Sequence, residues 1–258
     1  MRIAAFFIPF YAVAAGAIGF YFRLLELWNV FDPRTGLPER GATITYALIA
    51  LSVVFILILV GLSIGISVKR TAPEGFENSF GTGSLSYPFT FVIIGLIWLL
   101  ATVIQFLSLG AAGILIMSDI YFLALSALSA ISIIVFSIEA YQNPRSKSIF
   151  VLSIIPTLFM CFWLILLYRQ NASNPILLSY VYQCLAIMAS ILSFYLMSGF
   201  VCAKPALGKT IFFQLAAIFF CFVTLADAHH ITVRVIFASV LAINIVNSYK
   251  LIRNLEQR

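Results

Sequence analysis

The chain has 258 residues, of which 63% are hydrophobic and 9% charged, and its formal net charge is +6. That composition lies outside the range of soluble domains and excludes a fold bathed by water on every side. The positive balance does not describe a nucleic-acid surface, because the fifteen Lys and Arg residues are scattered among short loops rather than gathered on one solvated face.

A helix rises about 1.5 Å per residue, so roughly twenty apolar residues cross the roughly 30 Å hydrocarbon layer of a bilayer. Eight such stretches can be drawn, at about 3–22, 43–67, 88–109, 120–141, 149–168, 176–202, 210–227 and 230–250. They predict an all-α, polytopic membrane helix bundle forming a single transmembrane domain over residues 1–258. The first stretch imitates a signal peptide through Ala12-Val13-Ala14, but it stays apolar to Phe22 and reads better as an uncleaved span. Residues 23–42 then form a loop in which Asp32-Pro33 and Thr35-Gly36 are turn chemistry.

The loop at 68–87 contains Gly81-Thr82-Gly83-Ser84, which lacks the Lys-Ser/Thr ending and the preceding strand of a phosphate loop and is expected to be a flexible connector. Asp119 has two readings. Inside a span it would be a carboxylate in hydrocarbon, at about 2.5–3.5 kcal/mol on insertion scales. At the preceding turn, Ser118 or Asp119 would cap the next helix, and 120–141 would be a clean span. Residues 147–202 read as a hairpin of spans in which Asn174-Pro175 starts the second helix, with Asn as cap and Pro at the first helical position. Residues 210–250 exceed one span, and Asp227-Ala228-His229-His230 supplies the polar break.

With eight spans, the termini and the loops at 68–87, 142–148 and 203–209 share one side and hold ten Lys and Arg, against five on the other. The positive-inside rule then puts both termini in the cytoplasm. An internal repeat is also suggested, with units 1–146 and 147–258. Pro9 precedes Arg23 by 14 residues and Pro156 precedes Arg169 by 13, while an offset of 108 pairs Asp119 with Asp227, Ala130 with Ala238 and Tyr141 with Tyr249. Four spans per unit would give two parallel four-helix repeats of the kind some transporters use; chance resemblance between apolar helices is the alternative.

Chemistry-bearing residues are few. Asp119, Asp227, His229 and Arg234 would form an external polar cluster if Asp119 shares the face of the 227–230 turn, whereas a capped, solvated hairpin is the plainer reading. Adjacent histidines on a helix diverge, so no metal site or other cofactor is predicted. Gln105, Gln183 and Asn244 would either pack helices together or line an intramembrane polar path. Cys161, Cys184, Cys202 and Cys221 lack CxxC spacing and read as core packing. Gly61 with Gly65, and the run of Ser126, Ser129, Ala130 and Ser132, are small-residue faces for a helix of this chain, of a second copy or of a partner membrane protein. HExxH, GxSxG and paired intramembrane aspartates are all missing, so an enzyme is not expected.

The segments FDPRTGLP (31–38), FWLILLYRQNASNPILLSYVYQ (162–183) and TLADAHH (224–230) together resemble a group of bacterial multi-pass membrane proteins. The resemblance implies a bacterial cytoplasmic membrane and carries over no catalytic or binding residue. Three functions remain open at this level: a permease or channel-like protein for a small solute or ion, a non-catalytic accessory, scaffold or sensory subunit, and, behind these two, an enzyme acting on a lipid-like substrate.

Overall fold

A computed structural model of the chain describes residues 2–32, 37–39, 41–114, 116–144, 146–174 and 176–257. Among them lie α1 (Arg2–Asn29), α2 (Thr43–Lys69), α3 (Gly75–Phe80), α4 (Ser86–Ala111), α5 (Met117–Gln142), α6 (Ser148–Asn171), α7 (Val181–Val201), α8 (Leu207–Thr224) and α9 (Ile231–Arg253). All but α3 are long and apolar enough to cross a membrane, so the protein is an all-α bundle of eight candidate spans. A two-residue strand, β1 (Arg70–Thr71), pairs antiparallel with β2 (Glu256–Gln257), placing the 70–85 segment and the C-terminal residues at one end. That end is called the terminal end below, and the opposite one the far end.

Helix α8 is the axis of the bundle, with α1, α2, α7 and α9 packed around it. Its own sequence explains the position, since Leu215 to Cys221 is an uninterrupted buried apolar run. Small residues set how closely neighbours approach. A Cβ on Gly16 would lie 2.8 Å from Phe222, and one on Gly19 would lie 2.7 Å from Val223, so α1 runs against α8 with almost no space between backbones. Gly95 does the same for α4 against Ile134 of α5, where Trp98 Nε1 also donates to Ser126 Oγ at 2.9 Å. The Ser126–Ser132 face is therefore spent inside the chain. Gly61 and Gly65 on α2 have nothing within 4 Å of their Cβ positions and stay uncovered.

Several boundaries differ from the sequence expectation. Helix α1 does not stop at Phe22 but continues to Asn29, because Arg23 and Glu26 lie one turn apart and neutralise one another while Leu24, Leu25 and Leu27 keep the segment apolar. Asn174 does not cap α7. Its Oδ1 accepts from Ile176 N at 3.0 Å, closing a local turn; a 3₁₀ turn at Leu177–Ser179 follows, and α7 begins only at Val181. Pro175, residues 33–36 of the first loop and Arg145 lie outside the described residues. The 68–87 segment is a built cap rather than a flexible connector. Phe76 and Phe80 of α3 stack on each other and reach Phe136 and Phe200, and Asn254 Nδ2 donates to Ser79 O at 3.2 Å. Of the cysteines assigned to the core, Cys221 is buried but Cys202, at the end of α7, is exposed.

The two sets of four spans do not pack alike. Helices α7 and α8 share a long interface, whereas α2 and α4, their counterparts in the repeat alignment, share no substantial one.

Candidate functional site

The close approach of α1 to α8 brings three ionisable side chains together at the far end. Arg23 and Glu26 are both 0% exposed, and Asp227, just beyond α8, is 5% exposed. Arg23 lies six residues beyond Ala17, the centre of its span, which is about 9 Å along the helix. Charges at that depth are expensive unless each is paired. Arg23 Nε donates to Asp227 Oδ1 at 2.7 Å and Nη1 donates to Glu26 Oε2 at 2.7 Å. Nη2 reaches Ser179 O at 3.4 Å, and the guanidinium carbon sits 5.2 Å from the centre of the Tyr182 ring. One guanidinium thus ties together α1, the turn after α8, the start of α7 and the 3₁₀ turn before it.

Asp227 is held from the other side as well. Thr224 Oγ1 donates to its Oδ2 at 3.1 Å, and His229 Nε2 stands 3.7 Å from the same oxygen. Burial pushes the His229 imidazole below its ordinary proton affinity; the Asp227 carboxylate raises it, and Arg234 and Arg23 lower it further. Glu26 Oε1 is fully buried and has no hydrogen-bond partner among the described residues. The arrangement fastens α1 to the 3₁₀ turn before α7 and to the turn after α8.

The sequence cluster is thereby redrawn. Asp227, His229 and Arg234 do meet, but Arg234 donates to the backbone oxygen of Asp227, at 3.2 Å, not to its carboxylate. The 227–230 turn is not simply a solvated hairpin; its cap is His230, whose Nδ1 accepts from Thr232 N. Asp119 lies at the same end, half-buried in the first turn of α5, and neither it nor Ser118 caps that helix. Among the described residues no hydrogen bond or ion pair joins Asp119 to the cluster. Arg23 and Glu26 were assigned to the loop by sequence reasoning. The signal that would have found them is the stripe Gly16, Gly19, Arg23, Glu26, which puts two small residues and an opposite-charge pair on one helix face.

The intramembrane amides have different surroundings. Asn244 accepts from Ser193 Oγ and donates to Val240 O at 2.8 Å, so it is used in packing α9 on α7. Gln183 is buried at the head of α7, and Gln105 is half-buried with its Oε1 unpartnered. Gln214 is 0% exposed on α8, with neither side-chain polar atom partnered. The void nearest the core is an apolar space of about 10 Å³ beside Phe91, Pro156 and Phe194, too small to conduct. The larger spaces lie at the rims. One of about 220 Å³ sits between α4 and α5 next to Thr102, and one of about 950 Å³ lies between α2 and α8 at the terminal end.

Comparison with family models, with curated proteins and with solved structures returns no match.

Proposed function

We propose that the protein is a non-catalytic subunit of the bacterial cytoplasmic membrane, of the scaffold or sensory kind, with both termini in the cytoplasm and the Arg23 cluster at the external face. The observation that carries this reading is the contrast between a closed centre and an open flank. Gln214 and Asn244 are buried and line none of the spaces described above, while α2 leaves Gly61 and Gly65 uncovered at a spacing that suits close approach of another membrane helix. The two-to-one excess of Lys and Arg on the terminal side supports the orientation.

A photo-crosslinking amino acid at Gly61 tests the reading in cells. A single stoichiometric protein adduct is expected there, and none with the crosslinker at exposed Phe89 on α4. Lipid adducts at both positions would refute a protein contact on α2.

The second reading, a carrier for an ion or small solute, is favoured by one observation: the fully buried, unpartnered Glu26 Oε1 within a candidate span. Proteoliposomes under an inward proton gradient separate the two. Flux that is lost in Glu26→Gln would establish the carrier reading; the subunit reading expects the leak of empty vesicles.

A further inference from the structure

A groove of about 950 Å³ opens at the terminal end, and the cluster at the far end does not involve it. Its walls are α2 and α8, which touch where Gly208 comes so close that a Cβ would stand 3.0 Å from Ser67 and 3.1 Å from Ser63 O, and again where Phe55 stacks on Phe219 at 4.3 Å. Between these contacts lies a cleft faced by Val60, Ile64, Phe212 and Phe213. Val60 to Lys69 covers ten residues of α2, or about 14 Å, close to half the roughly 30 Å hydrocarbon thickness. The cleft is therefore one leaflet tall. At its mouth stand Arg70 and Lys209 with Thr71. The backbone of Arg70 is fixed by the β1–β2 pairing, opposite Gln257. None of the ion pairs among the described residues involves Arg70 or Lys209, so both cations at the mouth keep their charge for a ligand, with Glu256, opposite Thr71 in β2, as the carboxylate of the paired strand.

An apolar slot one acyl chain deep, topped by a hydroxyl and two cations that no ion pair among the described residues engages, matches one kind of occupant: an amphiphile with a chain to fill the slot and an anionic phosphate for the mouth. We infer that this groove is a binding site for an acidic phospholipid of the leaflet at the terminal end. The phosphate meets Arg70 and Lys209, and an acyl chain lies along Ile64 and Phe212. The site is independent of the subunit and carrier readings above.

Native mass spectrometry of the full chain, released from detergent after incubation with phosphatidylglycerol or phosphatidylcholine of the same chain length, tests it. Retention of one phosphatidylglycerol per chain at concentrations at least tenfold below those needed for phosphatidylcholine is expected. Arg70→Gln with Lys209→Gln should abolish that preference, while Lys69→Gln with Lys147→Gln, charges at the same end outside the groove, should leave it intact. Ile64→Trp keeps both cations but fills the slot and should displace the lipid. Inorganic phosphate at millimolar concentration should not compete, because it brings no chain. Equal retention of both lipids, loss of the preference in the control double variant, competition by phosphate alone, or undiminished binding in Ile64→Trp would each overturn the assignment. Helical circular dichroism of every variant distinguishes lost binding from lost fold, and Ile64→Trp, on an exposed face, keeps the test open if the charge variants unfold.

Discussion

Replacing Arg23 should be far more damaging than replacing either of its carboxylate partners, and the order follows from charge counting. Arg23→Met keeps the length of the side chain but leaves Glu26 and Asp227 buried with no cation between them. Stripping the partner from a buried charge costs about 3–5 kcal/mol, and here two carboxylates are stripped at once. Asp227→Asn keeps an acceptor for Arg23 Nε, and Glu26 still balances the guanidinium, so the loss is that of one charge-assisted hydrogen bond, about 1.5–3 kcal/mol. Glu26→Gln removes the carboxylate whose Oε1 already lacks a partner, leaves the Arg23–Asp227 pair balanced, and should fall below either. Unfolding of the purified protein in mixed micelles by increasing dodecyl sulfate, followed by circular dichroism, ranks the three. Replacing the whole triad by apolar residues of similar size should recover much of what Arg23→Met loses, because no charge is then left stranded. If Arg23→Met is as mild as Glu26→Gln, Arg23 is not the shared partner of two buried carboxylates.

Other perturbations have equally definite outcomes. Burial holds the folded-state affinity of His229 for protons below its ordinary value of 6.5, so the unfolded chain protonates first as pH falls; stability is level above about 6.5 and declines below it, and His229→Gln should flatten that decline in a pH series of unfolding midpoints. Gly19→Val places a side chain where a Cβ alone would stand 2.7 Å from Val223, and should lower stability by about 1–3 kcal/mol in the same titration, whereas Gly61→Val on the uncovered face of α2 should change it little. Gln214→Leu removes two buried, unpartnered polar atoms at nearly constant volume and should raise stability by about 1–3 kcal/mol; a loss would mean that Gln214 has a partner, such as a bound water.

The spans were legible because length and apolarity are local properties, and every expected crossing has a helix. The cluster was not, and the reason is specific. A span boundary drawn at the first charge put Arg23 in a loop, yet its charge is balanced by Glu26 one turn on and by Asp227, 204 residues away. The near partner could have been read from spacing; the distant one depends on Gly16 and Gly19 letting α1 close on α8. Asp227 and His229 stood out as the densest polar group in the sequence, but their burial follows from the same packing and has no local mark. Asp119 was linked to them through a repeat alignment, and the contacts of α5 run instead to α4 and α6. Gly61–Gly65 and Ser126–Ser132 look equivalent as small-residue faces; only the fold distinguishes the one that is covered from the one that is open.

Solvent access to the centre of the bundle is the most direct test of a closed midplane. In a chain whose four cysteines are replaced by serine or alanine, Asn244→Cys and Gln214→Cys are exposed in sealed vesicles to a membrane-impermeant thiol reagent, from each side in turn, with exposed Tyr168→Cys as the accessible control. A closed bundle predicts no labelling at positions 244 and 214 from either side until the protein is denatured, while position 168 reacts from one side. Labelling of Asn244→Cys or Gln214→Cys in the intact membrane would reveal a water path through the centre and contradict the subunit reading in favour of a conduit.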